Sequence, residues 1–573
     1  MKASLIIFIF FSLLVFSAAQ DVFGQEVIFN IESSYDISGR SSLSAILLST
    51  SPEAYWYADA SWWNGLAEKT QENIKASLDY LIIEFNSHIY PILTRTFGSE
   101  WNPGIDKDTR ITILIHPMKE KRAGYFNSAD EYPKAQIPDS NEKEMIYLNP
   151  EYLTSGIAKS FLAHEFMHLI TFNQKDKNYG VSEDVWLNEA RAEYASTLLG
   201  YDDEYEGSNL QRRIRDFLNK PSDSLAEWRD LPEDYGVANL FTQYLTDHYG
   251  VQILTDSLRL PQTGISGINT ILAQKGFKED FAQAFANWAM AVLVNDCQIS
   301  EKYCYFNKNL QDFRIVPLLN YLPSIGPSTL SVVNSTKDWA GNWHKFIGGD
   351  GILTIEFKAN AGLAFKVPYA LEKKGGDLYI DFLELNKNGE GKLQVADFGS
   401  QNIALTIIPI AQNKTAGFSR LEPSRFFSWS ASTQKEEENI PPLSPPSKPV
   451  SQMTRQEIIA RIFEVKNLIV QLQSQLAALT GSAVSCQFIT QNLYFGMSDN
   501  LQVRCLQEFL KSQGKDIYPE GLVSGNFYTL TEKAVARFQE RYASEILSPL
   551  GLSQGTGYVG SITIAKINEL LTK

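Results

Sequence analysis

The sequence of 573 residues predicts a multidomain protein: an α+β domain, an all-β sandwich domain, a helical linker and a small three-helix C-terminal domain. Three observations support this class. Over residues 20–320, β-prone stretches come first and long helical patterns follow. Over residues 325–433, short β-prone runs recur between Gly and Asn turns, which is typical of a sandwich. A proline-rich segment at residues 434–452 then separates these parts from further helical patterns.

Residues 1–19 have the pattern of a secretory signal peptide. Lys2 supplies the basic start, residues 5–16 are apolar, and residues 17–19 form a small-x-small cleavage site. An uncleaved membrane anchor is the alternative, but the apolar run is short for a full span. We therefore expect a secreted or cell-wall-associated protein with no stable membrane span after cleavage.

Composition and charge narrow the class of protein. The chain is 44% hydrophobic and 20% charged, as globular proteins are, and its formal net charge is −15. A general nucleic-acid binder needs a basic surface, so the acidic balance argues against nucleic-acid binding.

The four cysteines form two pairs that are close in sequence, Cys297/Cys304 and Cys486/Cys505. Export favours disulfides within these pairs. One zinc site made of all four thiolates is the alternative. That site would join different predicted domains and lacks C-x-x-C spacing, so we expect disulfides.

Within residues 20–320, the pattern predicts strands first and a helical lobe afterwards. Alternating β-prone stretches occur at residues 27–31 and 54–58, and short buried strands are expected at residues 110–116 and 144–149. Helices are expected at residues 66–96, 209–218, 235–248 and 281–294. For the helix at 235–248, Asp234 can cap the start and Gly250 follows the end.

The stretch His164-Glu165-Phe166-Met167-His168 has the pattern H-E-x-x-H. Residues four apart lie on one face of a helix, so both imidazoles can reach one metal ion. Glu165 lies next to them, where it can take a proton from a water molecule at the metal. The apolar flanking residues predict that this helix is buried.

A catalytic zinc ion usually has three protein ligands, so a third is expected beyond the two histidines. The stretch Trp186-Leu-Asn-Glu-Ala-Arg-Ala-Glu-Tyr-Ala-Ser196 supplies Glu189 and, one helical turn later, Glu193. Together the two motifs resemble the gluzincin zinc peptidases, the thermolysin and aminopeptidase clan, and within it the hyicolysin-like peptidases most. The resemblance covers about residues 26–300. Ala190 stands where the aminopeptidase branch has Gly, which argues against that branch.

The resemblance implies a role for each residue. His164, His168 and Glu189 bind one zinc ion per chain, Glu165 is the general base, and Glu193 accepts a hydrogen bond from a ligand imidazole.

The transition state also needs a donor to its oxyanion. Tyr235 is the candidate, because gluzincins place a Tyr or His on a helix after the third ligand; packing on the core is its alternative role. His248 competes for this role, although at a helix C-terminus it can instead cap the last turn. His88, His116 and His344 lack partner motifs and are expected to be structural.

The resemblance also implies a substrate-binding strand. In gluzincins, the strand before the H-E-x-x-H helix is an exposed edge that pairs with extended substrate backbone. The strand at residues 144–149 has that place in this chain. An ordinary sheet strand would be equally apolar and is the alternative.

The remaining segments point to a tethered C-terminal domain. After the proline-rich linker, residues 453–480 predict a coiled-coil-like helix with an apolar seam over residues 458–479. This helix can form a weak dimer or fold onto a neighbouring domain.

Residues 481–573 carry V-x-x-L-Q-x-x-L, a G-x-F turn and T-x-x-A-V-x-x-F-Q. They resemble the three-helix peptidoglycan-binding domain, with an insert at residues 544–560. The alternative is that the same apolar stripes only form the core of a three-helix domain and do not indicate peptidoglycan binding.

Taken together, the motifs predict an exported zinc metallopeptidase that acts on protein or peptide substrates and binds peptidoglycan through its tail. A hydrolase of peptidoglycan stem peptides is one alternative. A non-catalytic wall-binding or adhesion protein is another, although the intact Glu165 argues against it.

Overall fold

The computed structural model describes residues 26–323, 328–434, 453–454, 488–497 and 500–571. The chain divides into two compact units, residues 1–438 and 439–573. The predicted signal peptide and the apolar seam of the coiled-coil-like helix lie outside the described residues, as does nearly all of the proline-rich linker. Among the described helices, none is both long and apolar enough to cross a bilayer.

The N-terminal part of the first unit contains a mixed sheet of six strands among the described residues, in the order β1-β2-β3-β4-β6-β5. Strands β3, β4 and β6 are parallel, whereas β1, β2 and β5 pair antiparallel with their neighbours. The strands are β1 (Val27–Asn30), β2 (Ser42–Thr50), β3 (Ala54–Asp59), β4 (Ile111–Ile115), β5 (Gly124–Phe126) and β6 (Met145–Leu148).

Residues 144–149, which the resemblance implies to be the free edge strand, do not lie at the edge of the sheet. Strand β6 pairs with β4 on one side, with Ile113 opposite Ile146, and with β5 on the other, with Tyr125 opposite Tyr147. All of its residues are buried, as is usual for a central strand. The edge on this side of the sheet is β5, a strand too short to show a β pattern in the sequence.

Helices pack on this sheet. They also form most of the remaining chain up to residue 300. The predicted helix at residues 66–96 is α2 and α3, joined through a π-helical segment at Phe85–Ile89. The α-helices are α1 (Ala60–Asn64), α2 (Glu68–Glu84), α3 (Tyr90–Phe97), α4 (Ala158–Thr171), α5 (Val185–Leu198), α6 (Asn209–Asn219), α7 (Pro232–Tyr249), α8 (Gln252–Leu258), α9 (Gly264–Gln274) and α10 (Phe281–Val294). Short 3₁₀ or π segments lie at Ser128–Glu131, Pro150–Tyr152, Phe172–Lys177, Glu301–Tyr303 and Lys308–Leu310.

Helix α7 ends near the predicted position, but it begins at Pro232, three residues before the predicted start, so Leu231 is its N-cap and Asp234 lies in its first turn. The Asp234 carboxylate accepts hydrogen bonds from the N–H groups of Leu231 (2.8 Å) and Arg229 (2.9 Å). These bonds fix the turn that enters the helix. Gly250 ends the helix at φ 77°, a conformation that glycine adopts without strain.

An aromatic contact series fixes α4 against the helices and the sheet beneath it. Trp56 of β3 packs on Phe85 at 6.1 Å between ring centroids, and Phe85 packs on Phe166 of α4 at 5.1 Å. All three side chains are fully buried. Burying a side chain of this size stabilises the fold by about 1.5–3 kcal/mol, so α4 has a well-defined position.

The second part of the first unit is β-rich. Its strands form two groups, β14-β10-β17-β8 and β13-β12-β15-β9-β7, which meet through one pair, Phe398 opposite Asn402. The two groups contribute to one apolar core, which includes Ile355, Phe357, Leu405, Phe427 and Trp429.

The strands of this part follow in chain order. They are β7 (Leu318–Leu322), β8 (Ser328–Thr336), β9 (His344–Gly348), β10 (Gly351–Ala359), β11 (Phe365–Lys366), β12 (Pro368–Lys373), β13 (Leu378–Phe382), β14 (Glu390–Phe398), β15 (Asn402–Ile407), β16 (Ile410–Ala411) and β17 (Arg425–Gln434). Strands β11 and β16 form a separate pair.

The β-rich part also packs on the helices. Trp339 is almost fully buried and contacts the ring of Phe281 at 4.9 Å. The Trp343 indole N–H donates to the carbonyl of Ala289 at 2.8 Å. The Leu225 N–H, in the loop before α7, donates to the Trp339 carbonyl at 2.9 Å. These contacts place both parts in one compact unit.

The predicted disulfide between Cys297 and Cys304 is confirmed. It closes the loop after α10. The second predicted pair includes Cys486, which lies outside the described residues.

In the second unit, the described residues form helices around one small core. They are α11 (Leu501–Ser512), α12 (Thr529–Arg541), α13 (Ala543–Ile546) and α14 (Ser561–Leu571), with a 3₁₀ turn at Ser548–Leu550 inside the predicted insert. Core residues include Leu506, Phe509, Val535, Phe538 and Ile567.

The two glutamines of the L-Q and F-Q motifs have matching roles. Gln507 donates to the Thr531 hydroxyl (2.9 Å) and accepts from the Gly525 N–H (2.8 Å). Gln539 likewise donates to Thr563 (3.1 Å) and accepts from the Gly557 N–H (3.0 Å). Each buried amide therefore holds one glycine turn against the next helix.

Candidate metal centre

Helices α4 and α5 bring the two sequence motifs together. His164 and His168 lie one turn apart on α4, and Glu189 lies on α5. Leu162, Phe166 and Ile170 on α4 are fully buried, so the helix cannot turn its histidines away without exposing its apolar side.

The ligand atoms of His164, His168 and Glu189 all lie within 4.8 Å of one another. The Oε2 atom of Glu189 is 3.2 Å from Nε2 of His164 and 3.6 Å from Nε2 of His168. The structure thus brings together the three side chains that the sequence proposes as ligands. Among the residues that the structure describes, no other group of three His, Cys, Asp or Glu side chains meets the same criterion.

The three side chains fit a metal ion. Two imidazoles and one carboxylate are a usual ligand set for zinc. A tetrahedral ion with bonds of about 2.0–2.1 Å separates its ligand atoms by about 3.3 Å, close to the Nε2–Oε2 distances here. The Oε2 atom of Glu189 is buried and has no hydrogen-bond partner, which a cation would supply.

Neighbouring residues orient both imidazoles through their other nitrogen. Nδ1 of His168 is 3.1 Å from Oδ1 of Asn188, and Nδ1 of His164 is 3.3 Å from Oε1 of Glu193. Both oxygens are acceptors, so each Nδ1 carries the hydrogen and each Nε2 is free to face Glu189. Glu193 thus occupies the position that the resemblance implies for it.

Burial and the neighbouring charges shift the pKa values of the His164 and Glu189 side chains. Burial lowers the pKa of His164, but its contacts with Glu189 and Glu193 outweigh burial and raise the pKa to about 10. Burial raises the pKa of Glu189, yet the neighbouring histidines bring it below its usual value. The carboxylates are thus arranged to stabilise positive charge between them.

Glu165 faces the edge of the sheet. A Cβ atom on Gly124, the first residue of β5, would lie 2.9 Å from Cγ and 3.0 Å from Oε1 of Glu165. Glycine at this position therefore leaves room for the carboxylate. Burial raises the pKa of Glu165 to about 8, with His164 opposing the shift and Glu189 adding to it. Such a raised pKa suits a group that must accept and return a proton near neutral pH.

Glu193 is held by a buried arginine. Nη2 of Arg213 is 2.6 Å from Oε1 of Glu193, and Nε of Arg213 is 2.8 Å from Oε2. Asn209 donates to the same Oε2 at 2.9 Å. The pKa of Glu193 lies well below its usual value: burial raises it, and the charge of Arg213 outweighs burial. Glu193 is thus an ionised acceptor for His164.

Replacing Arg213 with Met is expected to destabilise the first unit by about 3–5 kcal/mol, because it leaves the Glu193 carboxylate buried without its cation. Urea unfolding followed by tryptophan fluorescence measures this loss. Arg215→Met, on the exposed side of the same helix, is the matched control and should stay near wild type. Equal midpoints for the two variants would contradict the assigned role of Arg213.

Tyr235 lies beside the centre, and His248 does not. The Tyr235 ring is 6.4 Å from the His164 ring, and its hydroxyl donates to Oδ1 of Asp230 at 2.7 Å. His248 is at the other end of α7, about 20 Å along the helix axis, and its Nε2 is 2.9 Å from the Cys304 carbonyl oxygen. The structure therefore places only Tyr235 near the proposed ligands.

Three further residues near the centre have no motif in the sequence. Arg122 Nη1 is 2.5 Å from Oδ2 of Asp230, and its guanidinium lies 4.8 Å from the centroid of the Tyr35 ring. Burial raises the pKa of Tyr35, and the charges of Asp230, Glu165 and Glu189 add to this shift. Asp230 has φ 65°, an uncommon value for a residue other than glycine. The residues come from segments far apart in sequence, so no local spacing could have identified them.

The histidines without partner motifs have local contacts away from the centre. Nε2 of His88 is 3.0 Å from the Leu199 carbonyl oxygen, and Nδ1 of His116 is 3.5 Å from Oδ2 of Asp36. His344 is buried against Phe427 and Trp429.

Comparison with curated proteins identifies a metalloprotease relative. The chain is 30% identical over 218 residues to the neutral metalloprotease ShpI of Staphylococcus hyicus, covering 33% of this chain and 44% of that protein. The chain thus spans less than half the length of this relative, and the similarity supports a metalloprotease relationship for the matched part. No protein-family model matches the chain.

Two solved structures that match part of the chain have low similarity to it. The pre-peptidase C-terminal domain of the Bacillus anthracis collagenase is 8% identical and covers 20% of this chain and 96% of its own, with a TM-score of 0.14. The Aeromonas hydrophila PliG, a periplasmic inhibitor of g-type lysozyme, is 14% identical and covers 21% of this chain and all of its own (100%), also at 0.14. Scores this low carry no conclusion about the fold or function.

Proposed function

We propose that the protein is an exported, gluzincin-like zinc metallopeptidase that hydrolyses peptide bonds and is tethered to the cell wall by its C-terminal domain. One observation carries the peptidase proposal: His164, His168 and Glu189 offer ligand atoms within 4.8 Å of one another. Glu165 lies next to them in sequence and faces the open edge of the sheet. The similarity to a neutral metalloprotease supports the same reaction class.

His164, His168 and Glu189 would hold one zinc ion through Nε2, Nε2 and Oε2. When bound, zinc acts as a Lewis acid that polarises a substrate carbonyl and lowers the pKa of water. Asn188 and Glu193 keep the two imidazoles in the tautomer that leaves each Nε2 free. Arg213 in turn keeps Glu193 ionised.

Glu165 moves the proton. Its carboxylate accepts a proton from the attacking water while the water oxygen bonds to the peptide carbonyl carbon. The same carboxyl group then donates this proton to the leaving amine as the C–N bond breaks, so Glu165 ends ionised. The products are a carboxylic acid and an amine.

Tyr235 and strand β5 orient the substrate. The Tyr235 hydroxyl can exchange its bond with Asp230 for one to the carbonyl oxygen, where negative charge develops. Strand β5 pairs only with β6 among the described strands, so its other edge can pair with an extended peptide. Because Gly124 of β5 contacts Glu165, a peptide on this edge would lie beside the base.

Digestion of a protein mixture tests this function. The purified chain, loaded with zinc, should cleave proteins of an unlabelled cell extract, and mass spectrometry should identify the new termini. Treatment with 1,10-phenanthroline should abolish cleavage, and added zinc should restore it. New termini that persist under chelation would point to a contaminating protease and contradict the proposal.

The tail proposal predicts that wall binding and proteolysis separate. A fragment of residues 481–573 should sediment with purified peptidoglycan, because anchoring needs only that domain. A fragment of residues 20–438, which keeps β17 whole, should still digest soluble protein. If the fragment 481–573 is folded by circular dichroism and stays in the supernatant, the wall-binding proposal is wrong.

The same fragments distinguish the alternative substrate, peptidoglycan stem peptides. An enzyme that acts on the wall gains local substrate concentration from its tether. Loss of the tail would then lower activity on wall material far more than activity on soluble protein. Equal activity on soluble protein, with no release of stem peptides from the wall, favours the proteolytic function.

A further inference from the structure

A half-buried arginine on α6 lies beside the histidine centre. Arg212 directly precedes Arg213, the residue that holds Glu193. The guanidinium carbon of Arg212 is 5.1 Å from the centroid of the Phe161 ring. Phe161 comes three residues before His164 on α4, and residues three apart share one face of a helix. The guanidinium therefore lies about one helical turn of α4 from a proposed zinc ligand, on the face that carries the ligands.

The Arg212 side chain has donors without acceptors. Its Nη2 donates to Oδ1 of Asn209 at 2.6 Å, which is its only hydrogen bond with the described residues. The ring of Phe161 adds a cation–π contact. Nε is buried and has no partner among the described residues. Because a guanidinium has five N–H donors, most of the hydrogen-bonding capacity of Arg212 is unused.

The carboxylates near Arg212 are bound to its neighbour. Glu193 accepts from Nε and Nη2 of Arg213, and Oδ2 of Asp216 is 2.9 Å from Nη1 of Arg213. Among the described residues, no Asp or Glu oxygen is within ion-pair distance of Arg212. Burial lowers the pKa of Arg212 to about 10, and the like charge of Arg213 adds to this shift. Arg212 is thus charged at neutral pH, and a desolvated cation is costly until an anion reaches it.

Arg212 is also close to the groups that would contact the substrate. The Tyr235 ring is 6.4 Å from the His164 ring, and the Arg213 guanidinium lies 4.5 Å from the same Tyr235 ring. Tyr235 is among the groups whose charge acts on Arg212. Tyr235, His164 and Arg212 are each partly exposed, so a peptide held at the centre can reach the guanidinium.

We propose that Arg212 binds a carboxylate of the peptide substrate, an assignment that rests on the peptidase function proposed above. A planar guanidinium holds a carboxylate through two parallel N–H bonds, which are stronger than bonds between neutral groups. The carboxylate belongs to an Asp or Glu side chain beside the scissile bond or to the C-terminus of a peptide. Arg212 is a specificity-determining residue, so the enzyme selects acidic peptides and Arg212 takes no part in breaking the bond.

The sites that are cleaved in a cell extract give the first test, with Arg212→Met and Arg215→Met digested in parallel. Wild-type sites should be enriched in Asp or Glu at one fixed position beside the cleaved bond, or lie at one fixed distance from a C-terminus. Arg212→Met should lose this selection, whereas Arg215→Met, exposed on the same helix, should keep it. Cleavage by the wild type without either selection would overturn the role of Arg212 alone. Absence of all cleavage would contradict the peptidase function itself.

Matched synthetic peptides measure the size of the preference. They differ only by Glu or Gln at the selected position, and each is made with a free and with an amidated C-terminus. Wild-type kcat/KM should favour the peptide with the carboxylate at least about tenfold, and this ratio should fall to near one in Arg212→Met. Arg212→Lys keeps the charge without the planar fork and should retain part of the preference.

The four peptides also identify the source of the carboxylate. A preference that is lost with Gln assigns it to the side chain, and one that is lost on amidation assigns it to the C-terminus. The same ratio in Arg212→Met as in the wild type would overturn the proposal. A general loss of stability cannot imitate the expected result, because it lowers the rates for all four peptides together.

Discussion

The Glu165→Gln variant is expected to keep its metal and to lose at least about a hundredfold in the rate of peptide hydrolysis. Glutamine has nearly the shape of glutamate, so it fits beside Gly124 where the carboxylate lies. Its amide cannot accept the proton that the attacking water must release. The rate loss is measured as kcat/KM on a peptide found in the digestion experiment, and zinc content is measured by mass spectrometry of the metal.

Glu151→Gln is the matched control for this change. Glu151 is exposed in the turn that precedes α4, so the same substitution there removes a charge without touching the centre. The control should hydrolyse the peptide at the wild-type rate. Near wild-type turnover by Glu165→Gln, with zinc retained, would show that another group is the base.

The Glu189→Ala variant is expected to lose both zinc and activity. It removes the only carboxylate among the three ligand side chains and leaves two imidazoles, which are too few for a stable catalytic zinc site. Zinc content should fall from about one ion per chain to near zero. His168→Ala should have the same effect, because the two remaining groups cannot enclose the ion.

Glu204→Ala serves as the control for loss of a carboxylate, since Glu204 is exposed in the loop after α5. It should bind zinc like the wild type. Circular dichroism of the ligand variants shows whether the fold is kept. Full zinc occupancy in both Glu189→Ala and His168→Ala would rule out the assigned ligands.

The edge strand shows where prediction from sequence failed. Residues 144–149 come before the H-E-x-x-H helix, and the resemblance to the gluzincins implied that a strand at this place is the free edge. A central strand is equally apolar, so only the pairing of β6 with both β4 and β5 decides its place. The true edge, β5, has three residues, and a segment so short has no periodicity to detect.

The network around the centre also depends on tertiary structure. Arg122, Asp230 and Tyr35 reach the region of Tyr235 from three separate segments. Arg213, on the next helix, neutralises Glu193. Nothing in the spacing of these residues indicates that they meet, because their contacts depend on how β5, α6 and α7 pack on α4 and α5.

The sequence alone determined the local part of the centre. His164, Glu165 and His168 share one helix, and so do Asn188, Glu189 and Glu193, because the period of an α-helix fixes which side chains share a face. Tertiary structure decided which strand is the free edge, which cation pairs with Glu193, and which of Tyr235 and His248 lies near the ligands. Each of these depends on contacts between residues far apart in sequence, which local periodicity does not encode.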